Sequence, residues 1–299
     1  MQVHEKFNAA DSDVTIRSSD DVLFKLHRVN LSLLTGAFPG TELATEDKDV
    51  QLTEPSVVLE IVFEFIYPKR YPSLRGTDFD LLLQVAEAVG KYEVFPAIQT
   101  CEARLRDHFK DHALQIMLHA VKHDYSELAN DSSLELVLRP TLSIVEKLPS
   151  TLIITWLKYR DAWQKTFTRN TDLHFGYNDR YVRTSSVGCG WKQGPIYCVR
   201  CASIIKAWVY DLEQIESLDL LRSKISNHTV TAESDNPGCD SCQKSSAGKT
   251  DVCRHFSDFR KRLLSLLDAV PPFTDFVHNR QPEYIDLREM LASIYKGDR

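Results

Sequence analysis

Apolar and polar residues begin to alternate at Val14. Val14 and Ile16 flank Thr15, the two-residue period of a strand with one buried face. Ser18, Ser19, Asp20 and Asp21 then supply a polar turn. Alternation resumes in Phe24-Lys25-Leu26-His27, which predicts a second strand with Phe24 and Leu26 inward. At Val29, Leu33 and Leu34 the spacing becomes helical, with Asn30 or Ser32 placed to cap. Residues 39–49 are polar and carry Gly40, a loop, before Asp49-Val50-Gln51-Leu52 predicts a third strand.

From there the pattern is helical. Glu54-Pro55 opens a helix in which Val58, Leu59, Ile61, Val62, Phe65 and Ile66 cover most of the circumference, so it should be deeply buried. Tyr67-Pro68 should end it, because proline pushes the preceding residue out of the helical region. A second helix, capped by Thr77 or Asp78, carries Ala86, Val89 and Tyr92 on its apolar stripe. Residues 96–109 form a third, with Ile98, Cys101 and Leu105 on one face. Residues 111–163 are helical throughout, with breaks expected at Asn130-Asp131-Ser132-Ser133, Pro140 and Pro149, and a closing stripe of Leu152, Ile153, Trp156 and Leu157. Residues 164–187 lack a period and read as a linker or irregular segment. Helices are expected again over 204–221, 256–270 and 282–295, and no repeat of solenoid period is present. The fold class is α+β.

The ordered set Asp13-Val14, polar turn, Phe24, His27-Arg28 and Phe38 resembles the amino-terminal signature of the BTB/POZ domain. The resemblance continues through Phe65-Ile66-Tyr67, the helix bearing Ala86 and Ala88, and Lys91-Tyr92. A helical stretch ending in Tyr159-Arg160 ahead of a cysteine-bearing segment is similar to a group of fungal BTB proteins. The resemblance implies a BTB/POZ-like domain over 1–110, a helical extension over 111–165, a linker over 166–187 and a cysteine-rich module with carboxy-terminal helices over 188–299. It also implies that Asp13 and Arg28 form a charged pocket near a dimer interface; the plainer reading is a turn-capping aspartate and a solvated arginine.

Composition narrows the partners. The net charge of −6 provides no global basic field for nucleic acid or anionic lipid. No apolar run reaches membrane-spanning length, and the first residues lack the apolar core of a secretion signal. An intracellular protein with mostly reduced thiols is expected, and seven cysteines, an odd number, fit poorly with a purely disulfide framework.

Two Cys-x-x-Cys pairs, Cys198/Cys201 and Cys239/Cys242, carry the strongest chemical signal. Two residues between thiolates let one turn present both sulfurs to one ion, and two such turns complete the tetrahedron that zinc prefers. Four thiolates would close the site to water, making the zinc structural. Cys189, Cys253 and His255 are further donors that no spacing rule assigns. Reduced cysteines buried in a small core are the alternative.

His108, His112, His119 and His123 would share one helical face if the helix were unbroken. Asp111 reads as the cap of a new helix and no His-Glu-x-x-His occurs, so these histidines are expected to be solvated or at the core edge. Cys101, on an apolar helix face, reads as a packing residue. Phosphate-binding, dinucleotide-binding and nucleophile-elbow motifs are absent from the sequence, and an enzyme is not expected.

The expected function is therefore protein–protein interaction, by self-association as a homodimer or by recruiting a protein partner. BTB proteins often serve as adaptors for cullin-type ubiquitin ligases through an apolar-x-Glu motif before the third strand. Here only Ala44-Thr45-Glu46 fits. A zinc-containing transcriptional or nucleic-acid-binding regulator is the competing class. The basic residues Lys192, Arg200, Arg260, Lys261 and Arg262 are offset by Asp211, Glu213, Asp240 and Asp251, which weighs against it.

Overall fold

The computed structural model describes residues 2–38, 49–175, 207–227 and 254–280, with side chains at 167–175 and 254–258 left aside. The chain is α+β and forms two compact units, residues 1–133 and 134–299.

Unit 1 contains a four-stranded mixed sheet. Strands β1 (Gln2–Asn8), β2 (Val14–Arg17), β3 (Val22–Leu26) and β4 (Val50–Gln51) lie in the order β1-β3-β2-β4. β2 and β3 form the expected antiparallel hairpin, whereas β1 and β4 run parallel to β3 and β2. Ser18 closes the hairpin turn: its Oγ receives the Val22 N–H at 3.0 Å, and Asp21 takes a left-handed φ of 61°. As the alternation requires, Val14, Ile16, Phe24 and Leu26 point into the core.

Helices cover that buried face. Helix α1 spans Arg28–Leu34, α2 Ser56–Glu64, α3 Phe79–Tyr92, α4 Phe95–Arg106, α5 Phe109–Lys122 and α6 Ser126–Leu134. Val58, Leu59, Val62 and Phe63 of α2 are fully buried, and Phe63 meets Phe24 edge-on at 5.1 Å. Each such side chain contributes roughly 1.5–3 kcal/mol through apolar burial. Asp78 caps α3 through the Asp80 N–H, one of the two residues expected to do so. Helix α2 stops at Glu64, three residues before Tyr67, yet Phe65 and Ile66 remain buried.

Several expectations are corrected. Strand β1 was not anticipated. Residues 130–133 do not break the chain: α6 runs through them because Ser132 Oγ donates to the Leu128 and Ala129 carbonyls at 2.6 and 3.2 Å, and Ser133 Oγ to Asn130 at 2.7 Å. Hydroxyls satisfied within their own helix can be buried, as both are. Neither Asn30 nor Ser32 caps α1, whose first turn begins at Arg28.

Unit 2 contains α7 (Thr141–Val145) and α8 (Ser150–Phe175), which start after Pro140 and Pro149 as expected. Helix α8 continues to Phe175, through residues 166–175 that had read as linker. The helix expected over 204–221 is interrupted: residues 207–213 are helical, the chain opens at 214–217, and α9 follows at Leu218–Asn227. Helices α10 (Arg254–Asp268) and α11 (Phe273–Val277) complete the unit. Tyr159 of α8 packs between Phe273 at 5.2 Å and Phe276 at 5.4 Å, with Trp156 5.8 Å from Phe273. Residues 282–295 lie outside the described residues.

Candidate functional site

The first candidate lies where the hairpin meets α1. Asp13 precedes β2 and its N–H reaches the Leu26 carbonyl at 3.1 Å, which brings it beside the residue after His27. Its Oδ1 accepts the Arg28 main-chain N–H at 2.7 Å, while the Arg28 guanidinium donates through Nε to the Asp13 carbonyl oxygen at 3.2 Å. The structure thus brings Asp13 and Arg28 together, and it gives the carboxylate a capping role. The first N–H groups of a helix have no partner within it, and a carboxylate there also complements the helix dipole. Asp13 is exposed and Arg28 half-buried.

Asp20, at the other end of β2, does the same for α2. Its two oxygens accept the Ser56 N–H at 2.8 Å and the Ser56 hydroxyl at 2.6 Å. Hydrogen bonds from Ser18 and then Ser56 hold its carboxyl down at about 2.

His27 joins α1 to the rest of the unit. Its Nδ1 lies 3.0 Å from the Tyr67 hydroxyl and its Nε2 3.2 Å from Asp11 Oδ1. Burial raises the Tyr67 phenol, and the His27 contact lowers the exposed Asp11 carboxyl. With its start held in this way, α1 buries Leu31 and turns Val29 and Leu33 outward at 57% and 69% exposure. Four residues apart, these two share one face.

A second cluster joins α3 to α5. Glu87 Oε1 lies 2.7 Å from His119 Nδ1, and Glu87 Oε2 lies 3.1 Å from His123 Nε2 and 2.5 Å from Lys122 Nζ. Burial raises the Glu87 carboxyl, but hydrogen bonds from His119, Lys122 and His123 outweigh it and hold the group well below the usual carboxylate range. His119 is buried, not solvated or at the core edge as expected, because Glu87 satisfies its ring nitrogen. The four-histidine face divides at a kink in α5 at His112, whose ring stacks on Phe79 at 3.7 Å. The spacing of His119 and His123 was visible in the sequence; Glu87, 32 residues before His119, carried no local signal.

A third carboxylate, Glu54, ties the start of α2 to α3. It accepts from Lys91 Nζ at 2.7 Å and from the Tyr92 hydroxyl at 2.6 Å. Cys101 is buried and free, and burial pushes its thiol up to about 12, as suits a packing residue.

Cys189, Cys198, Cys201, Cys239, Cys242 and Cys253 lie outside the described residues, as do Ala44, Thr45, Glu46 and the His255 side chain. Among the described residues, no helix is long and apolar enough to cross a membrane. No family model matches the chain, and no curated protein matches it.

Proposed function

We propose that the protein is a protein-interaction module that self-associates through the α1 face of a BTB/POZ-like unit. The observation that carries this reading is the outward placement of Val29 and Leu33 on a helix whose start is tied down by Asp13 and the His27–Tyr67 contact and whose far end is held by the Gly36 and Ala37 N–H groups donating to the Glu93 and Tyr92 carbonyls. Apolar side chains on a fixed helix lose little conformational entropy when a partner covers them, and a two-fold copy presents the same face in return. The ordered set Asp13, Phe24, His27, Arg28 and Phe38 supports the BTB-like assignment, with Phe24 and Phe38 in the core and Asp13 and Arg28 joined. In the same reading, Cys198, Cys201, Cys239 and Cys242 hold a structural zinc ion.

Native mass spectrometry of the full chain, with and without a chelator, tests both parts. The expected result is a dimer carrying metal, converted to monomer by Leu33→Glu without loss of helical content. A wild-type chain that stays monomeric at all concentrations rejects the self-association. A dimer indifferent to Leu33→Glu rejects this face as its seat.

A further inference from the structure

Outside the α1 face, the most developed polar constellation in unit 1 is Glu87 with His119 and His123. We infer that these three residues form a binding site for a divalent transition metal of the zinc class.

The donors suit it. Two imidazoles and one carboxylate form the three-ligand set with which proteins hold zinc while leaving a fourth position for water or an added ligand. Imidazole favours zinc, cobalt, nickel and copper over magnesium and calcium. The ligand atoms all lie within 4.8 Å of one another, and the two carboxylate–imidazole separations are 2.7 and 3.1 Å. Ligands about 2.05 Å from a tetrahedral ion stand about 3.3 Å apart, so Glu87 would draw back from His119 by about half an ångström and the widest pair, now up to 4.8 Å apart, would close by about an ångström or more. His119 lies in the last turn of α5 and His123, four residues on, is the cap residue that ends it, while Glu87 reaches both from α3.

The backbone makes room for this arrangement. Gly90 sits inside α3, where alanine would ordinarily be preferred. A Cβ at that position would lie 2.5 Å from His123 Nδ1 and within 2.8 Å of two further ring atoms. The glycine therefore lets the imidazole lie against the helix with Nε2 aimed at Glu87. Tyr125 stacks on the same ring at 5.8 Å. His123 is thus positioned from both sides.

Lys122 is the competitor. Its ammonium occupies Glu87 Oε2, the oxygen that also faces His123. However, the Lys122 side chain is 65% exposed and can leave for solvent, whereas His119 is fixed in the core. Metal binding then exchanges an exposed ion pair for three coordinate bonds. Each neutral imidazole offers its lone pair by carrying its proton on the other ring nitrogen, away from the ion.

The test is a cobalt(II) titration of the full chain after chelator treatment, read in two spectral windows. Thiolate ligands give an intense near-ultraviolet charge-transfer band; an imidazole–carboxylate set gives visible ligand-field bands without it. The expected result is a visible component with no matching thiolate intensity. Glu87→Gln should weaken its affinity on the order of tenfold or more, and Lys122→Met should strengthen it severalfold. A titration accounted for entirely by the thiolate band overturns the inference. So does a Lys122→Met chain whose affinity is unchanged or weaker. Because Lys122 is exposed, that variant reads the site even if Glu87→Gln loosens α3 from α5.

Discussion

Asp20 caps a helix that begins 36 residues downstream of it, at Ser56. Pro55 stands at the cap position of α2 and has no side-chain group to offer, so the hairpin turn supplies the acceptor. Asp20→Ala should cost about 1 kcal/mol, the usual worth of a helix cap, read as a lower denaturation midpoint with an unchanged slope.

The same contact sets an acid limit. The Asp20 carboxyl lies below its ordinary 3.8, at about 2, in the folded chain. A depressed pKa means that the folded state binds the proton less readily than the unfolded one. The contribution is therefore complete above about pH 4 and decays as pH falls through about 2. Asp20→Asn should flatten the stability profile in that window and leave the neutral-pH slope unaltered.

Asp13 and Arg28 should behave unequally. Asp13→Ala removes the acceptor of the Arg28 N–H and should cost about 1 kcal/mol. Arg28→Ala retains the main-chain N–H that takes the cap and should cost less. Paired thermal melts of the two variants check the order; an equal or larger loss for Arg28→Ala would assign the main role to the guanidinium.

Two leucines of α1, two residues apart, provide a contrast. Leu31 is 1% exposed, and Leu31→Ala should cost about 2–5 kcal/mol. Leu33→Ala, at a surface position, should change monomer stability by no more than about 0.5 kcal/mol. Urea unfolding at a protein concentration where the chain is monomeric separates the two.

In unit 2, Trp156→Ala should cost about 3–5 kcal/mol, since the indole is fully buried beside Phe273. Limited proteolysis should then cut within 134–299 before it cuts within 1–133.

What the sequence made legible were features with a local period. The β2–β3 hairpin, α3 with its Asp78 cap, and the restarts after Pro140 and Pro149 all announce themselves within a few residues. Strand β1 escaped because only Phe7 is buried in it, so it shows no alternation. Ser132 and Ser133 resemble a break because their side chains are polar, although both hydroxyls close on their own helix. Both hairpin carboxylates cap helices elsewhere in the chain, and Glu87 meets its histidines across 32 and 36 residues. Such pairings depend on tertiary structure, and no window of sequence contains them. Local spacing therefore points to Asn30 and Ser32, inside the helix itself, and misses the Asp13 cap.

The irregular pairing of β1 has a consequence for aggregation. From Val3 to Asn8 this strand advances five residues while its partner advances only from Leu23 to Lys25, so its register slips. Its Lys6 is drawn toward α2 by Glu60 and by Glu64, the latter at 3.0 Å. A straight, apolar sheet edge would template indiscriminate strand addition and fibre growth; a bulged edge carrying an anchored charge resists it. The β1 edge is therefore closed to the strand-by-strand growth that a straight apolar edge would invite.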